Sequence, residues 1–171
     1  MGTGQVNEMP TELGSREETD MSDRLHAARE RTRSPVQDAA VAVGAVFLLV
    51  GILGFIPGIT TGYDGMEAAG HESHAELLGI FQVSILHNVV HLLFGAAGLA
   101  LARTASSARA YLIGGGAVYL LLWLYGLLID KTSEANFVPV NVADDWLHFV
   151  LGLGMIGLGV ALGRRIADTR V

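Results

Sequence analysis

Two histidines and an asparagine lie inside an apolar run that is long enough to form most of a membrane-spanning helix. The run LHNVVHLLFGAAG covers residues 86–98 and contains His87, Asn88 and His91. An ionisable side chain in hydrocarbon costs about 2.5 kcal/mol or more, so it normally faces the interior of a helix bundle and has a partner there. The two histidines are four residues apart and share one helix face with the asparagine. These three side chains are therefore the first candidates for a functional site.

A second polar group lies near the C-terminus, where Asp144, Asp145 and His148 precede another apolar run. Metal sites in helix bundles are formed by imidazole and carboxylate groups on facing helices. A candidate metal-binding set therefore consists of His87, His91, Asp144 and His148. His91 and His148 could instead be axial ligands of a haem. A proton or ion path along the polar stripe is a further alternative.

The same residues also have a purely structural interpretation, which we take as the leading one. Polar contacts between membrane helices fix their register, and acidic residues in a first turn interact favourably with the helix dipole. Asp144 and Asp145 follow Asn141 in such a capping arrangement. We therefore expect a buried hydrogen-bond cluster that needs no cofactor, and we keep a metal ion or a haem as alternatives.

Four apolar segments of helical length could carry these side chains. They predict an all-α protein with membrane-spanning helices at about residues 36–56, 77–102, 110–129 and 144–163. Ser34, Pro35 and Gln37 form a helix-start pattern, and Ser73 with Glu76 forms another. The second segment is longer than one bilayer crossing, so either the helix protrudes or residues 77–83 form an interfacial turn. Glycines along the helices predict close helix packing, above all Gly95, Gly98 and Gly152.

The composition supports a membrane location. Of the 171 residues, 51% are hydrophobic and only 16% are charged, and the mean hydropathy of +0.44 is unusual for a soluble protein. The chain has no cysteine, which excludes disulfides, thiolate metal sites and thiol nucleophiles. No phosphate-binding loop or hydrolase motif is present, and the basic residues are too few to indicate nucleic-acid binding.

The distribution of charge predicts the topology. Arginines are found before the first helix, between the second and third helices and after the fourth, whereas the two long loops are mainly acidic. The positive-inside rule then places both termini in the cytoplasm, with four crossings of the plasma membrane. Residues 1–33 are predicted to be a disordered cytoplasmic tail, and residues 166–171 a short second tail.

An internal repeat relates the two halves of the chain. Residues 45–54 (AVFLLVGILG) resemble residues 117–126 (AVYLLLWLYG), and residues 91–95 (HLLFG) resemble residues 148–152 (HFVLG). Each half is then a hairpin of two helices, and two such hairpins imply a pseudo-two-fold axis along the membrane normal. Under this alignment His91 is equivalent to His148, and we expect the two to approach each other in the outer half of the bilayer.

The signatures LHNVVHLLFGAAGL and NVADDWLHFVLGLG, with the apolar pattern between them, resemble small bacterial membrane proteins of the domain of unknown function 4383 family. The resemblance covers about residues 36–165 and implies a four-helix membrane architecture without a known activity. This chain has Ser84 and Asp145 where the family pattern suggests asparagine. We therefore expect a non-enzymatic structural or accessory component of a bacterial plasma membrane, in contact with lipid and with itself or another membrane protein as a candidate partner.

Overall fold

A computed structural model describes residues 20–22 and 33–168, and for residues 164–168 it describes the backbone only. The chain divides into two compact units, residues 1–33 and residues 34–171. In the first unit, residues 20–22 are helical. Most of the predicted tail at residues 1–33, and the last three residues of the chain, lie outside the described residues. The account below concerns the second unit.

Long helices account for most of residues 33–168. They are α1 (Pro35–Leu53), α2 (Ile85–Leu101), α3 (Ala105–Leu128) and α4 (Val142–Asp168). Helices α1, α3 and α4 are long and apolar enough to cross a membrane, and α2 is a shorter apolar helix of 17 residues. The mostly helical fold and the apolar helices agree with the expected class of membrane protein.

Each helix begins at a residue whose side chain can satisfy free backbone amides. Gln37 reaches back to the Ser34 amide at 3.0 Å, as its helix-start pattern predicts. Ser84 accepts a hydrogen bond from the His87 amide at 3.1 Å, and Thr104 accepts one from the Ser107 amide at 3.2 Å. These caps explain why α1, α2 and α3 begin at those positions.

The predicted start of the second helix at residue 77 is wrong. Residues 60–83 instead contain a small antiparallel sheet with the order β1 (Thr60–Thr61), β2 (Ala75–Leu77) and β3 (Phe81–Val83). The Ser73 hydroxyl does not cap a helix. It donates to the Val83 carbonyl at 2.6 Å and so joins the segment before β2 to the end of β3. The alternation of buried Ala75 and Leu77 with a more exposed residue between them is the strand pattern that the capping motif concealed.

Two close glycine contacts join the helices in pairs. A Cβ added to Gly95 of α2 would lie 2.7 Å from the Gly44 carbonyl oxygen of α1, and one added to Gly116 of α3 would lie 2.7 Å from the Gly152 carbonyl oxygen of α4. Such spacing leaves room only for glycine, which lets the two backbones touch. The closest packing is accordingly that of α1 with α2 and of α3 with α4.

Aromatic packing fills the part of the bundle toward the α2–α3 connection. Phe94 packs against Tyr111 with ring centroids 5.2 Å apart, and Leu112 and Met155 are buried beside them. At the same end, the Gln37 side chain donates to the carbonyls of Ala102 and Arg103. These contacts hold the start of α1 against the end of α2.

Candidate functional site

The six polar residues predicted as an intramembrane cluster all lie in the first two turns of α2 and α4 and are all buried. Their exposed fractions range from 0% to 9%. They are His87, Asn88, His91, Asp144, Asp145 and His148. The structure divides them into a central group around the histidines and two outer positions, Asn88 and Asp145, each of which faces a glycine.

The backbone of Gln82 in β3 connects two residues of the central group. The Gln82 amide donates to Asp144 Oδ2 at 3.1 Å, and the Gln82 carbonyl lies 3.1 Å from His87 Nδ1. A carbonyl can only accept, so His87 Nδ1 carries the proton in this contact. The first turn of α4 and the first turn of α2 are thus both bonded to Gln82.

Asp144 has the capping role expected for it. Its Oδ2 accepts a hydrogen bond from the Asn141 amide at 2.9 Å, and Asn141 Oδ1 accepts one from the Asp144 amide at 3.0 Å. This reciprocal pair begins α4. One oxygen of Asp144 therefore serves both the helix start and the link to β3.

Aromatic and imidazole rings form a continuous layer across the bundle. The His87 ring centroid lies 4.5 Å from that of His91 and 6.5 Å from that of His148. His91 also contacts Phe47 at 5.9 Å, and His148 contacts Tyr119 at 5.2 Å. Phe47 and Tyr119 are themselves 5.2 Å apart. His87 is thus in ring contact with both of the histidines that we expect to approach each other.

Two cavities flank this ring layer. The first, of about 150 Å³, lies between α1 and α4 beneath the turn that joins β2 to β3. The second, of about 120 Å³, lies between α2 and α3 beneath residues 137–140. The same four side chains border both cavities, namely His87, His91, Tyr119 and His148. We call the two cavities with these shared walls the histidine chamber.

Asp145 does not cap the helix and instead forms an ion pair. Its Oδ2 lies 2.7 Å from Lys131 Nζ, and the carboxylate is almost fully buried whereas Lys131 is partly exposed. Lys131 also donates to the Gly126 carbonyl at 2.9 Å. The other carboxylate oxygen has no hydrogen-bond partner and occupies the place that a Cβ on Gly126 would take.

Asn88 has a similar position without a charge. Its side-chain oxygen occupies the place that a Cβ on Gly54 would take, and neither its oxygen nor its nitrogen has a hydrogen-bond partner. The nearby Thr60 hydroxyl donates to the carbonyls of Leu53 and Gly54, at 3.1 and 3.2 Å. The Asn88 side chain thus packs against Gly54 without a described hydrogen bond.

The candidate metal-binding set lacks the required arrangement. Among the described residues, no three side chains of histidine, cysteine, aspartate or glutamate are grouped so that they could hold one metal ion. Asp144 Oδ2 already accepts two backbone amides. The structure thus brings His87, His91 and His148 to one chamber but does not bring them to a common ligand position.

Several residues of the site were missed in the sequence, among them Lys131, Tyr119 and Gln82. Lys131 is the single lysine of the chain and lies in an otherwise acidic loop, which could have suggested a buried acidic partner. Phe47 and Tyr119 occupy the same place in the similar stretches AVFLLVGILG and AVYLLLWLYG, but neither was named as a site residue. Nothing in the sequence indicates the role of Gln82, because it acts through its backbone.

Comparisons with known proteins identify the family and nothing more specific. Neither the curated proteins nor the solved structures gave a match. A family model described as a domain of unknown function, DUF4383, matches residues 37–161. The match covers well over half of the chain and includes α2, α3, most of α1 and most of α4, so this protein belongs to the DUF4383 family.

Proposed function

We propose that the protein is a non-enzymatic component of the plasma membrane, that all four helices cross the bilayer, and that both termini are cytoplasmic. The short α2 would span about 26 Å at helical rise, slightly less than a hydrocarbon core of about 30 Å. Its contacts with α1 support a crossing, because they run the length of α1: Gln37 bonds to the end of α2, Gly44 contacts Gly95, and Gly54 contacts Asn88. The two helices therefore cover the same depth.

The exposed side chains support contact with lipid. Large apolar residues on the outer surfaces of the helices are at least half exposed, among them Val46, Leu93, Leu121 and Val150. A water-soluble protein rarely exposes so many large apolar side chains. Acyl chains are the surroundings that these surfaces would accept.

We further propose that the chain is a tandem repeat of two helix hairpins. Matching contacts support this: the Gly44–Gly95 contact corresponds to Gly116–Gly152, at the spacings of the sequence alignment. The Phe47–His91 ring contact likewise corresponds to Tyr119–His148. Even the two cavities correspond, since equivalent positions of the two halves border them.

The function that the geometry supports best is to hold the two hairpins together around the histidine chamber. The observation that carries this is Gln82, whose amide bonds to α4 and whose carbonyl contacts α2. Polar links of this kind between membrane segments each contribute about 0.6–2 kcal/mol and fix their register. The protein would then act as a structural or accessory membrane component with a preformed chamber near its outer surface.

The two other functions considered from the sequence have less support. An ion path would have to continue past Phe94, Tyr111 and Leu112, which fill the bundle on the far side of the chamber. A haem would have to fit two cavities that are each smaller than the 300–1,000 Å³ typical of sites for drug-sized ligands. Purified protein should accordingly show no Soret band, and a Soret band with about one haem per chain would contradict the proposal.

Cysteine labelling tests the topology directly, because the chain has no cysteine of its own. Ala69→Cys and Glu134→Cys place a thiol at exposed positions of the two long loops. Ser106→Cys places one at an exposed position in the first turn of α3, next to its connection with α2. In intact cells, a membrane-impermeant maleimide should label the first two and not the third. Permeabilised cells provide the control, in which all three should react. Labelling of Ser106→Cys in intact cells, or protection of Ala69→Cys, would contradict the four-crossing topology.

A further inference from the structure

The histidine chamber opens toward the places where lipid would contact the bundle. Its first cavity is bordered by Val46 of α1 and Leu147 of α4, and its second by Val90 of α2 and Leu122 of α3. All four of these side chains are more than a third exposed. Both cavities lie at seams between the hairpins, where the helices touch much less than within a hairpin. A molecule dissolved in the bilayer could therefore reach the chamber laterally.

Unpartnered imidazole nitrogens lie at the wall that the two cavities share. The Nδ1 atoms of His91 and His148 are buried and have no hydrogen-bond partner, and both rings border both cavities. A buried polar atom without a partner is destabilising, so a group in the chamber that accepts a hydrogen bond from such a ring would relieve the cost. Each Nδ1 atom has almost no accessible surface, so its ring must turn slightly before a group in the chamber can accept a hydrogen bond from it.

The charges around the chamber favour an uncharged ligand. Asp144 is the acidic side chain on its wall, and its Oδ2 accepts hydrogen bonds from two backbone amides. The nearby ion pair of Lys131 and Asp145 is closed on itself at 2.7 Å. A ligand with a net charge would find no free counter-charge among these groups, and moving a charge out of water would be costly.

The size and the walls of the chamber favour a single ring. A cavity of about 150 Å³, which is the volume of the first cavity, holds one benzene-sized ring. Substituents on that ring would extend past the exposed Val46 and Leu147 toward the lipid. Phe47 and Tyr119 add aromatic faces to the imidazole rings, and aromatic rings pack well against other rings. Most of the remaining lining is aliphatic.

We propose that the histidine chamber binds the head ring of a lipid-soluble quinone, with His91 and His148 donating hydrogen bonds to its carbonyl oxygens. The apolar tail of such a molecule would leave between the hairpins into the bilayer. The inference rests on the proposed embedding in a membrane, and it adds a ligand to that proposal. It concerns binding alone and requires no electron transfer.

Two probes of the same shape test the inference. Duroquinone has two carbonyl oxygens, and durene is the corresponding hydrocarbon without them. In equilibrium dialysis against the full chain in lipid nanodiscs, duroquinone should bind in a saturable way with about one molecule per chain, and more tightly than durene by about fivefold or more. Equal affinity for the two probes, or no saturable binding beyond empty nanodiscs, would overturn the inference.

Variants then assign the hydrogen bonds. His148→Leu should weaken duroquinone binding about fivefold and leave durene binding nearly unchanged, whereas His148→Gln, which keeps a donor, should retain most of the affinity. Leu147→Phe should weaken the binding of both probes by filling the first cavity. Leu99→Phe, at an exposed position away from the chamber, is the control and should change neither. An unchanged affinity in folded His148→Leu would overturn the role given to His148.

Failure of the cysteine-labelling experiment would be a separate result, since that experiment tests the topology and not the ligand.

Discussion

The two helix pairs of this protein share a framework and differ in the chemistry at one end. In the pair of α1 and α2, the uncharged Asn88 faces Gly54, and the Thr60 hydroxyl bonds to the end of α1. In the pair of α3 and α4, the charged Asp145 faces Gly126, and Lys131 takes the place of the hydroxyl. Glycine is required in both pairs because a side-chain oxygen fills the space beside its Cα.

The difference shows how a buried charge is accommodated in an otherwise neutral arrangement. Asn88 needs no counter-charge and remains without a hydrogen-bond partner. Asp145 needs one, and Lys131 provides it. Lys131 also donates to the Gly126 carbonyl near the end of α3, as the Thr60 hydroxyl donates to the Gly54 carbonyl at the end of α1. The second pair therefore depends on one ionic interaction that the first pair does not have.

The largest expected effect is that of removing the lysine. Lys131→Met leaves the Asp145 carboxylate buried without its partner, which typically costs about 3–5 kcal/mol. We expect a loss of this size in the free energy of unfolding, measured by titration of detergent-solubilised protein with sodium dodecyl sulfate. The double variant Lys131→Met, Asp145→Asn reproduces the neutral chemistry of the first pair, so it should regain most of the loss. A double variant no more stable than the single one would contradict the equivalence of the two pairs.

Substituting the two glycines should have the next largest effect, and a similar one in both pairs. In Gly54→Ala and Gly126→Ala the new methyl group meets the Asn88 or the Asp145 side chain, and forcing that contact should cost about 1–3 kcal/mol. Gly114→Ala is the matched control, because a Cβ there has nothing within 4 Å and alanine is the better helix former. In the same titration, Gly114→Ala should have a free energy of unfolding at least equal to that of the parent. The other two variants should have lower values. If Gly54→Ala left the free energy of unfolding unchanged, the result would show that Asn88 can move away from the new methyl group.

A smaller effect is expected at Thr60, the uncharged counterpart of Lys131. Thr60→Val keeps the shape of the side chain and removes the hydroxyl that bonds to the Leu53 and Gly54 carbonyls, so it should cost about 1 kcal/mol. Thr61→Val at the exposed neighbour provides the comparison and should change the unfolding free energy by less. A loss at Thr60 as large as that of Lys131→Met would remove the distinction drawn between the two pairs.

Local sequence signals were sufficient to predict the helices and insufficient to predict the small sheet. Apolar length indicated the helices, and capping patterns such as Ser34 with Gln37 set where they begin, because both depend on neighbouring residues. The strands at residues 75–83 were missed because Ser73 and Glu76 match a helix-start pattern, and only pairing with distant segments decides between helix and strand. The sheet is therefore a tertiary effect.

The sequence was sufficient to predict which polar residues are buried at the candidate site, but not which groups they contact. Polar residues in apolar helices are expected to turn inward, and the six named from the sequence are all buried. The pairing of Asp145 with Lys131 joins residues 14 positions apart across a loop, and the link through Gln82 uses the backbone. The single lysine in an acidic loop indicates an acidic partner without identifying it, and no residue type or helical spacing encodes the link through Gln82.

The central claim is that the two helix pairs meet with His91 and His148 at one shared chamber. The most direct measurement is cross-linking of the double variant His91→Cys, His148→Cys in membranes, since the chain has no other cysteine. Disulfides require Cα atoms within about 7 Å, so oxidation is followed by a short bifunctional maleimide that bridges a larger gap. His91→Cys combined with Leu153→Cys, at a half-exposed position of α4, is the control. We predict an intramolecular link for the first pair and none for the control; a folded double variant that neither reagent joins would contradict the claim.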